Sequence, residues 1–376
     1  MATLAVSIIA KNEEPNLRRA IESVQFVADE VVVTDTGSSD GTVRLALDCG
    51  ARVAHFPWCD DFSAAYNHCL DQVRTDWVLL LDADEELLEA SRAEVRTLTE
   101  RADALAYTVL RQDLVRPDRL DEYTEMLQVR LFRARRELRF VGRIHHQFSP
   151  PLDSIAARER LQVLPSTIRL RHYGYAAGLG REKLLRAARL MELELQERPG
   201  QFYFLVELGR TWIALQDPRG VELLAEAAAI FRDEPARALE GGGTAAMLLE
   251  QILACDTLPA SFPLSKEEAD ELAVRYFPLS IPLLWQRALQ RYKRDQFAES
   301  ARILEQIIEL AHSGGYDRLA SFQPSVIRGD ALLNLGVCYA RLGRIEDARH
   351  TFAALASNPD YSARATQNLS ALRQLG

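Results

Sequence analysis

Residues 77–85 of this 376-residue chain read WVLLLDADE, an apolar run that ends in a cluster of acids. A continuous apolar run bounded by charge is typical of a strand that is buried on both faces of a sheet. Asp82 and Asp84 follow at its end, and an extended backbone would point both carboxylates to the same side. We therefore expect the two to share one divalent cation, Mn²⁺ or Mg²⁺, bound together with substrate phosphates.

Two further strands are predicted upstream, at residues 4–10 and 30–34, and each is followed by polar residues. The first strand ends at KNEE (11–14) and the second at Asp35. Ligands of open α/β sheets bind at the carboxyl ends of the strands. The three strand ends are therefore expected to form one polar rim on an α/β domain with a mixed, mostly parallel sheet.

The common nucleotide-binding motifs are missing from the sequence. No G-x-G-x-x-G follows the first strand, and no glycine-rich loop ends in Gly-Lys-Ser or Gly-Lys-Thr. These absences argue against a dinucleotide-dependent dehydrogenase and a P-loop enzyme. A nucleotide held by acidic side chains and a metal remains compatible with the sequence.

Composition narrows the class of protein further. Apolar residues make up 48% of the chain, the net charge is −9, and no basic block interleaved with aromatics occurs, so nucleic acid is not expected as a partner. The longest apolar runs are too short for a transmembrane segment, which predicts a soluble, cytoplasmic protein. Five cysteines without C-x-x-C spacing are expected to be reduced thiols.

The pattern changes near residue 180, where segments of helical period replace the strands. Three segments, 205–228, 284–307 and 332–355, echo one another. In the last, Gly336 and Phe352 occupy positions at which the tetratricopeptide consensus has a small residue and an aromatic. We predict domains at 1–178 and 179–376, the second an all-α TPR-like repeat domain or an ordinary helical bundle, and a homo-oligomer formed through it.

Three ordered motifs resemble family 2 glycosyltransferases of the GT-A fold: SIIAKNEE (7–14), EVVVTDTGSSDGT (30–42) and LLDADE (80–85). Four more resemble the branch of that family that carries C-terminal tetratricopeptide repeats. They are WCDDFS (58–63), RLFR (130–133), GRIH (142–145) and HYGY (172–175). The resemblance implies a GT-A nucleotide-diphospho-sugar transferase domain.

The resemblance also implies roles for individual residues. Asp35 would hydrogen-bond the nucleotide base, Asp82 would face the ribose and the metal, and Asp84 would be the main metal ligand. His172 would complete the coordination, and the alternation of residues 167–172 independently predicts that it lies on the apolar face of a strand. The nucleoside pocket would be lined by Ala10, Asn12 and Glu13.

The general base that an inverting member needs is not fixed by the motifs. The branch usually has Gly-x-Ile-His-Glu, whereas this chain has His146 at the place of the glutamate. Either His146 or Glu125 would be the base, or both would have structural or surface roles. A second departure is Tyr66, at a position where the branch often has arginine.

The function that follows is a metal-dependent, inverting glycosyltransferase of the hexosyltransferase type. It would move a sugar from a nucleotide-diphosphate sugar, with a UDP-sugar favoured, to an acceptor that could be a protein or peptide. The alternative is a non-catalytic scaffold that binds sugar nucleotides and acts through TPR-mediated protein interactions. The intact Asp82 and Asp84 favour the enzyme, while His146 leaves the alternative open.

Overall fold

The computed structural model describes residues 1–116, 118–174, 180–240 and 243–373. The chain divides into two units, Met1–Pro199 and Gly200–Gly376. Among the described residues, the first unit holds the strands and six α-helices, and the second unit is helical.

The first unit is built around an eight-stranded sheet with the order β3-β2-β1-β4-β7-β6-β10-β5, and β8 and β9 pair separately. The pairs β1–β2, β2–β3, β1–β4 and β6–β10 are parallel, whereas β4–β7, β6–β7 and β5–β10 are antiparallel. The strands are β1 Leu4–Ala10, β2 Glu30–Asp35, β3 Arg52–His55, β4 Trp77–Leu80, β5 Glu85–Leu87, β6 Ala104–Leu114, β7 Tyr123–Arg133, β8 Arg139–Val141, β9 Gln147–Ser149 and β10 Gln162–His172. The mixed, mostly parallel sheet that the sequence predicts is confirmed.

Helices and long apolar side chains cover the sheet on both faces. Trp77 and Leu79 of β4 point into one apolar cluster and Val78 and Leu80 into another, and all four are buried. A strand buried on both faces must be apolar throughout, which is why this run could be recognised from sequence. The helices of this unit are α1 Glu14–Val24, α2 Thr42–Asp48, α3 Phe62–Gln72, α4 Arg92–Thr99, α5 Leu152–Glu159 and α6 Arg181–Glu197.

The second unit consists of helical hairpins. Its helices are α7 Phe202–Ala214, α8 Arg219–Asp233, α9 Pro235–Glu240, α10 Gly243–Ala254, α11 Lys266–Tyr276, α12 Ile281–Lys293, α13 Phe297–Ser313, α14 Ala331–Arg341, α15 Ile345–Leu355 and α16 Ser362–Arg373. The pairs α7–α8, α12–α13 and α14–α15 pack against each other and correspond to the three echoing segments. A Cβ on Gly336 would lie 2.6 Å from Phe352 Cε1, so this small residue permits the close approach of α14 and α15.

The division between the units follows Pro199, whereas the predicted boundary lies between residues 178 and 179. The residues at the predicted boundary are outside the described part of the chain. Helix α6, assigned to the repeat domain from its composition, lies in the first unit, where Glu194 accepts a hydrogen bond from the backbone N–H of Arg143 at 2.9 Å. Among the described residues, no helix combines the length and apolar character that a membrane span requires.

Candidate functional site

The loops that follow β1 and β2 are joined by hydrogen bonds at the carboxyl edge of the sheet. Asn12 has a left-handed backbone, with φ of 57°, and its side-chain oxygen accepts the backbone N–H of Ser39 at 2.8 Å. The backbone N–H of Glu13 donates to Thr42 Oγ1 at 2.8 Å. Two of the predicted nucleoside-pocket residues therefore belong to one ordered double loop.

Asp35 and Ala10 lie beneath that double loop and are 5% and 3% exposed. The Asp35 carboxylate accepts the backbone N–H groups of Gly37 and Ser38, and its Oδ2 lies 3.4 Å from His55 Nδ1. The Ala10 carbonyl accepts the backbone N–H of Thr36 at 2.9 Å. Since a carboxylate offers about four acceptor positions, Asp35 retains capacity for a further donor.

The segment that carries Asp82 and Asp84 is a turn and not an extended strand, so the extended backbone that was expected to align the two carboxylates is absent. Strand β4 ends at Leu80, and the backbone N–H of Glu85 donates to the carbonyl of Asp82 at 3.0 Å. The strict alternation of an extended strand is lost where the chain turns. The two aspartates consequently have different partners.

Asp82 points towards the middle of the sheet. Its Oδ1 accepts the Tyr66 hydroxyl at 2.6 Å, and its Oδ2 lies 3.1 Å from Nη2 of Arg130. The same Arg130 nitrogen is 3.1 Å from Oε1 of Glu85, which is completely buried. Burial opposes ionisation of Asp82, but the Arg130 guanidinium outweighs it and holds the pKa of Asp82 well below its usual range.

Asp84 lies beside His172 because of strand register. In β10, His172 pairs with Glu85 of β5 on one side and with Asp113 of β6 on the other. Its Nε2 lies 3.3 Å from Oδ2 of Asp84, and its Nδ1 lies 2.6 Å from Oδ1 of Asp113. Burial disfavours the imidazolium, but the bonds to Asp113 and Asp84 outweigh it and raise the pKa of His172 to about 9.

Gly174 packs closely against this pair. A Cβ at this position would lie 2.1 Å from Oδ2 of Asp84 and 2.7 Å from Nε2 of His172. An oxygen and a nitrogen ligand therefore face a position that any larger residue would fill. A carboxylate held on the far nitrogen of a histidine, as Asp113 is here, is the usual support for a metal-binding imidazole.

A continuous series of charged groups connects the two aspartates through the protein interior. From Arg130 and Glu85 it continues to Arg111, whose Nε is 4.0 Å from Glu85 Oε1 and 2.9 Å from Asp113 Oδ1. Arg111 and Asp113 are not among the site residues that the sequence predicted. The signal was the presence of two opposite charges, two positions apart, directly after an apolar run; alternation places both on one face of the extended strand.

The two candidate bases occupy different environments. The His146 ring lies 4.6 Å from the rings of both Tyr66 and Phe140, and burial lowers the pKa of His146 to about 4, which leaves a neutral imidazole at pH 7. Glu125 is half-buried in β7 opposite Gln112 of β6. Alternation therefore places it on the other face of this strand pair from Asp113.

Three predicted metal ligands do not form one cluster. Among the described residues, no group of three or more histidine, cysteine, aspartate or glutamate side chains is arranged to hold a metal ion. The structure brings together Asp84 and His172, while Asp82 is bound to Tyr66 and Arg130. Glu13 is near Asp84: burial, with a smaller contribution from Asp84, raises the pKa of Glu13.

Comparisons with known proteins identify two sequence families in the chain. Residues 5–147 match the family model described as glycosyl transferase family 2, and residues 330–361 match a tetratricopeptide repeat model. A TPR repeat-containing protein of Synechococcus elongatus is 35% identical over 224 residues, which are 56% of this chain and 52% of the relative. An uncharacterized glycosyltransferase of Rickettsia typhi is 42% identical over 98 residues, 25% of this chain and 32% of that protein.

A solved structure, glucosyl-3-phosphoglycerate synthase from Mycobacterium tuberculosis in complex with Mn²⁺, UDP and glucosyl-3-phosphoglycerate, is 25% identical with a TM-score of 0.26. The match covers 29% of this chain and 44% of that one. This chain spans about half the length of the cyanobacterial relative and about a third of the rickettsial one.

Residues 5–147 are therefore similar to family 2 glycosyltransferases, and residues 330–361 are similar to a tetratricopeptide repeat. The comparisons support the predicted family over these residues, and the match to a tetratricopeptide model favours a repeat over an ordinary bundle for the α14–α15 hairpin.

Proposed function

We propose that this protein is a metal-dependent, inverting glycosyltransferase that takes a sugar from a nucleoside-diphosphate sugar, with a UDP-sugar as the favoured donor. The observation that carries the proposal is the pair Asp84 and His172, with Asp113 behind the imidazole and Gly174 packed so closely that only glycine fits there. Oxygen and imidazole ligands suit Mn²⁺ or Mg²⁺ bound together with substrate phosphates.

The residues present fit such an ion with two protein ligands, Asp84 and His172, and with diphosphate oxygens for the remaining positions. Because the bonds to Asp113 and Asp84 raise the pKa of His172 to about 9, the ion would have to displace the proton from Nε2. When bound, the ion would offset the negative charge of the departing diphosphate. The Asp82 oxygens already accept bonds from Tyr66 and Arg130, so we assign Asp82 to the donor's ribose or sugar side and not to direct coordination.

The double loop after β1 and β2 would hold the nucleoside. Asp35 has acceptor capacity for the base, and the amide nitrogen of Asn12 is available while its oxygen is bound to Ser39. Glu13 would lie between this loop and Asp84. Buried Ala10 would contribute to the floor of the pocket through its backbone.

We assign the general base to His146. The acceptor hydroxyl oxygen would attack the anomeric carbon on the face opposite the diphosphate, the bond from that carbon to the diphosphate would break, and the hydroxyl proton would pass to the imidazole. The low pKa keeps the imidazole neutral, so its lone pair is available at physiological pH. The acceptor would be a protein or peptide bound by the helical repeats.

The test is release of nucleoside diphosphate from a panel of nucleotide sugars with Mn²⁺, Mg²⁺ or EDTA, with candidate peptide acceptors present. Asp84→Asn should lower turnover by about 100-fold or more, since it removes a metal ligand. Asp103→Asn, in an exposed ion pair with Arg101, is the matched control and should behave as wild type. Turnover in EDTA, or an active Asp84→Asn variant, would contradict the proposal.

The alternative is a sugar-nucleotide-binding scaffold, and the low pKa of His146, which makes it a weak base, is the observation that favours it. Calorimetry with UDP and UDP-sugars separates the two functions. Saturable binding with intact metal dependence, but without turnover for any acceptor, would select the scaffold.

A further inference from the structure

Helix α6 fixes a loop of the first unit by means of a buried carboxylate. Glu194 is completely buried, and its Oε2 accepts the backbone N–H of Arg143 at 2.9 Å. Its other oxygen pairs with the guanidinium of Arg198. A buried carboxylate destabilises the fold unless it is paired and hydrogen-bonded, and an apolar side chain would fill this position without that requirement. The carboxylate of Glu194 is therefore better explained by the bonds that it makes than by packing.

The bond to Glu194 is one of several that hold residues 140–143 just before His146. The backbone N–H and carbonyl of Phe140 both bond the Asn67 side chain, at 2.8 and 2.9 Å. The carbonyl of Gly142 accepts the Ser63 hydroxyl at 2.5 Å. The carbonyl of Arg143 accepts the backbone N–H of Phe62 at 2.8 Å, so α3 and α6 hold Arg143 from both sides.

The backbone on either side of Arg143 is bent. Gly142 has φ of 100° and His145 has φ of 52°, both in the left-handed region. A non-glycine residue in that region is uncommon and persists where its surroundings fix it. We therefore expect the orientation of His146 to depend on the hydrogen bonds that fix the Arg143 peptide.

The same helix also touches the opposite side of the site. Lys183, in the first turn of α6, donates to the carbonyl of Gly174 at 3.3 Å, and Gly174 adjoins Asp84 and His172. Glu194 lies eleven positions after Lys183, which is about 16 Å along a helix. Helix α6 thus connects the metal-ligand side of the first unit with the His146 loop.

We propose that Glu194 is a positioning residue: from α6 it holds the Arg143 peptide and so places His146 against the acceptor. This inference rests on the proposed function, because it takes His146 as the group that receives the acceptor's proton. It assigns α6 to the transferase site.

The test uses the full chain with Glu194→Ala, Glu194→Asp and Glu194→Gln. Alanine removes the acceptor of the Arg143 N–H, and aspartate withdraws it by one methylene while the charge remains. Both should lower kcat by about tenfold or more at saturating donor, since small misplacements of a reacting group cost this much. The Kd for UDP with Mn²⁺ should stay within about twofold, because the nucleoside loop is not altered.

Glutamine can still accept the N–H, so Glu194→Gln should recover most of the wild-type kcat. Glu197→Gln is the control on the same helix, because Glu197 is exposed and pairs with the side chain of Arg143 only. Amide hydrogen exchange of residues 140–146 should rise in the alanine and aspartate variants and stay unchanged in the control. If the alanine variant does not fold, the aspartate and glutamine pair carries the comparison.

A wild-type kcat in folded Glu194→Asp, or equal losses of kcat and UDP affinity in both variants, would overturn the inference and leave the proposed function standing. A wild-type protein that turns over no donor under any condition would overturn both.

Discussion

The imidazole of His146 lies 4.6 Å from the phenol ring of Tyr66, and the hydroxyl of Tyr66 donates to Asp82 at 2.6 Å. These are the two positions at which the resemblance to the tetratricopeptide branch implies arginine and glutamate. The two departures are therefore one local change beside Asp82.

A double-mutant cycle tests this coupling. Tyr66→Arg alone would place a cation beside Arg130, and His146→Glu alone would add a carboxylate near Asp82, so each should destabilise the fold. The double variant should be more stable than the sum of the singles predicts, by about 1 kcal/mol or more. Urea unfolding of all four proteins measures the coupling, and strictly additive losses would contradict it.

Asp113→Asn should raise the Mn²⁺ concentration that turnover requires, although Asp113 is not itself a metal ligand. Asparagine keeps the size of the side chain but loses the charge that orients His172 through Nδ1. Loss of such a partner commonly costs about 10–100-fold in metal affinity or activity. The measurement is the Mn²⁺ concentration for half-maximal turnover, with Asp121→Asn on the surface as the control. An unchanged Mn²⁺ requirement would separate Asp113 from the site.

Gly174→Ala should disable the site with little effect on folding. The new methyl group would lie 2.1 Å from Asp84 Oδ2, so this carboxylate must move away from its position beside His172. Metal-dependent turnover should fall by about tenfold or more, because a ligand is displaced. The melting temperature should change little, since the displaced group is the end of a side chain. Full activity in the alanine variant would show that turnover does not need the Asp84 carboxylate in its place beside His172.

His146 should make the fold less stable in acid. Its imidazole takes up a proton near pH 6.5 when unfolded but only near pH 4 in the folded state, so the unfolded state binds more protons between these values. Its contribution, up to about 3 kcal/mol, is complete above pH 6.5 and is lost as the pH falls towards 4. Urea unfolding at several pH values should show a shallower loss for His146→Phe, whereas substitution of the exposed His350 should leave the wild-type dependence. A parallel loss in His146→Phe would exclude His146 as its source.

The elements of the fold could be predicted wherever a single packing requirement restricts which residue types a segment can have. Strands β1 and β4 are buried on both faces, and their continuous apolar runs gave their positions to within one residue. Gly336 and Phe352 identified a helical hairpin because close packing needs a small residue opposite a large one. These signals are local and do not depend on distant parts of the chain.

The site was less predictable because its geometry depends on contacts between distant segments. The turn at Asp82 separates two aspartates that an extended strand would have aligned. Asp113 reaches His172 through the register of β6 and β10, and Glu194 reaches Arg143 from a helix whose composition resembles the repeats. Neither partner can be inferred from spacing in the sequence.

Equilibrium binding of Mn²⁺ in the presence of UDP is the most direct test of the central claim, that Asp84 and His172 hold the ion that takes part in sugar transfer. Titration followed by electron paramagnetic resonance should give one site in the wild-type protein. That site should be lost or weakened by about 100-fold in Asp84→Asn and in His172→Ala, and retained in Asp103→Asn. Wild-type Mn²⁺ affinity in both site variants would contradict the account.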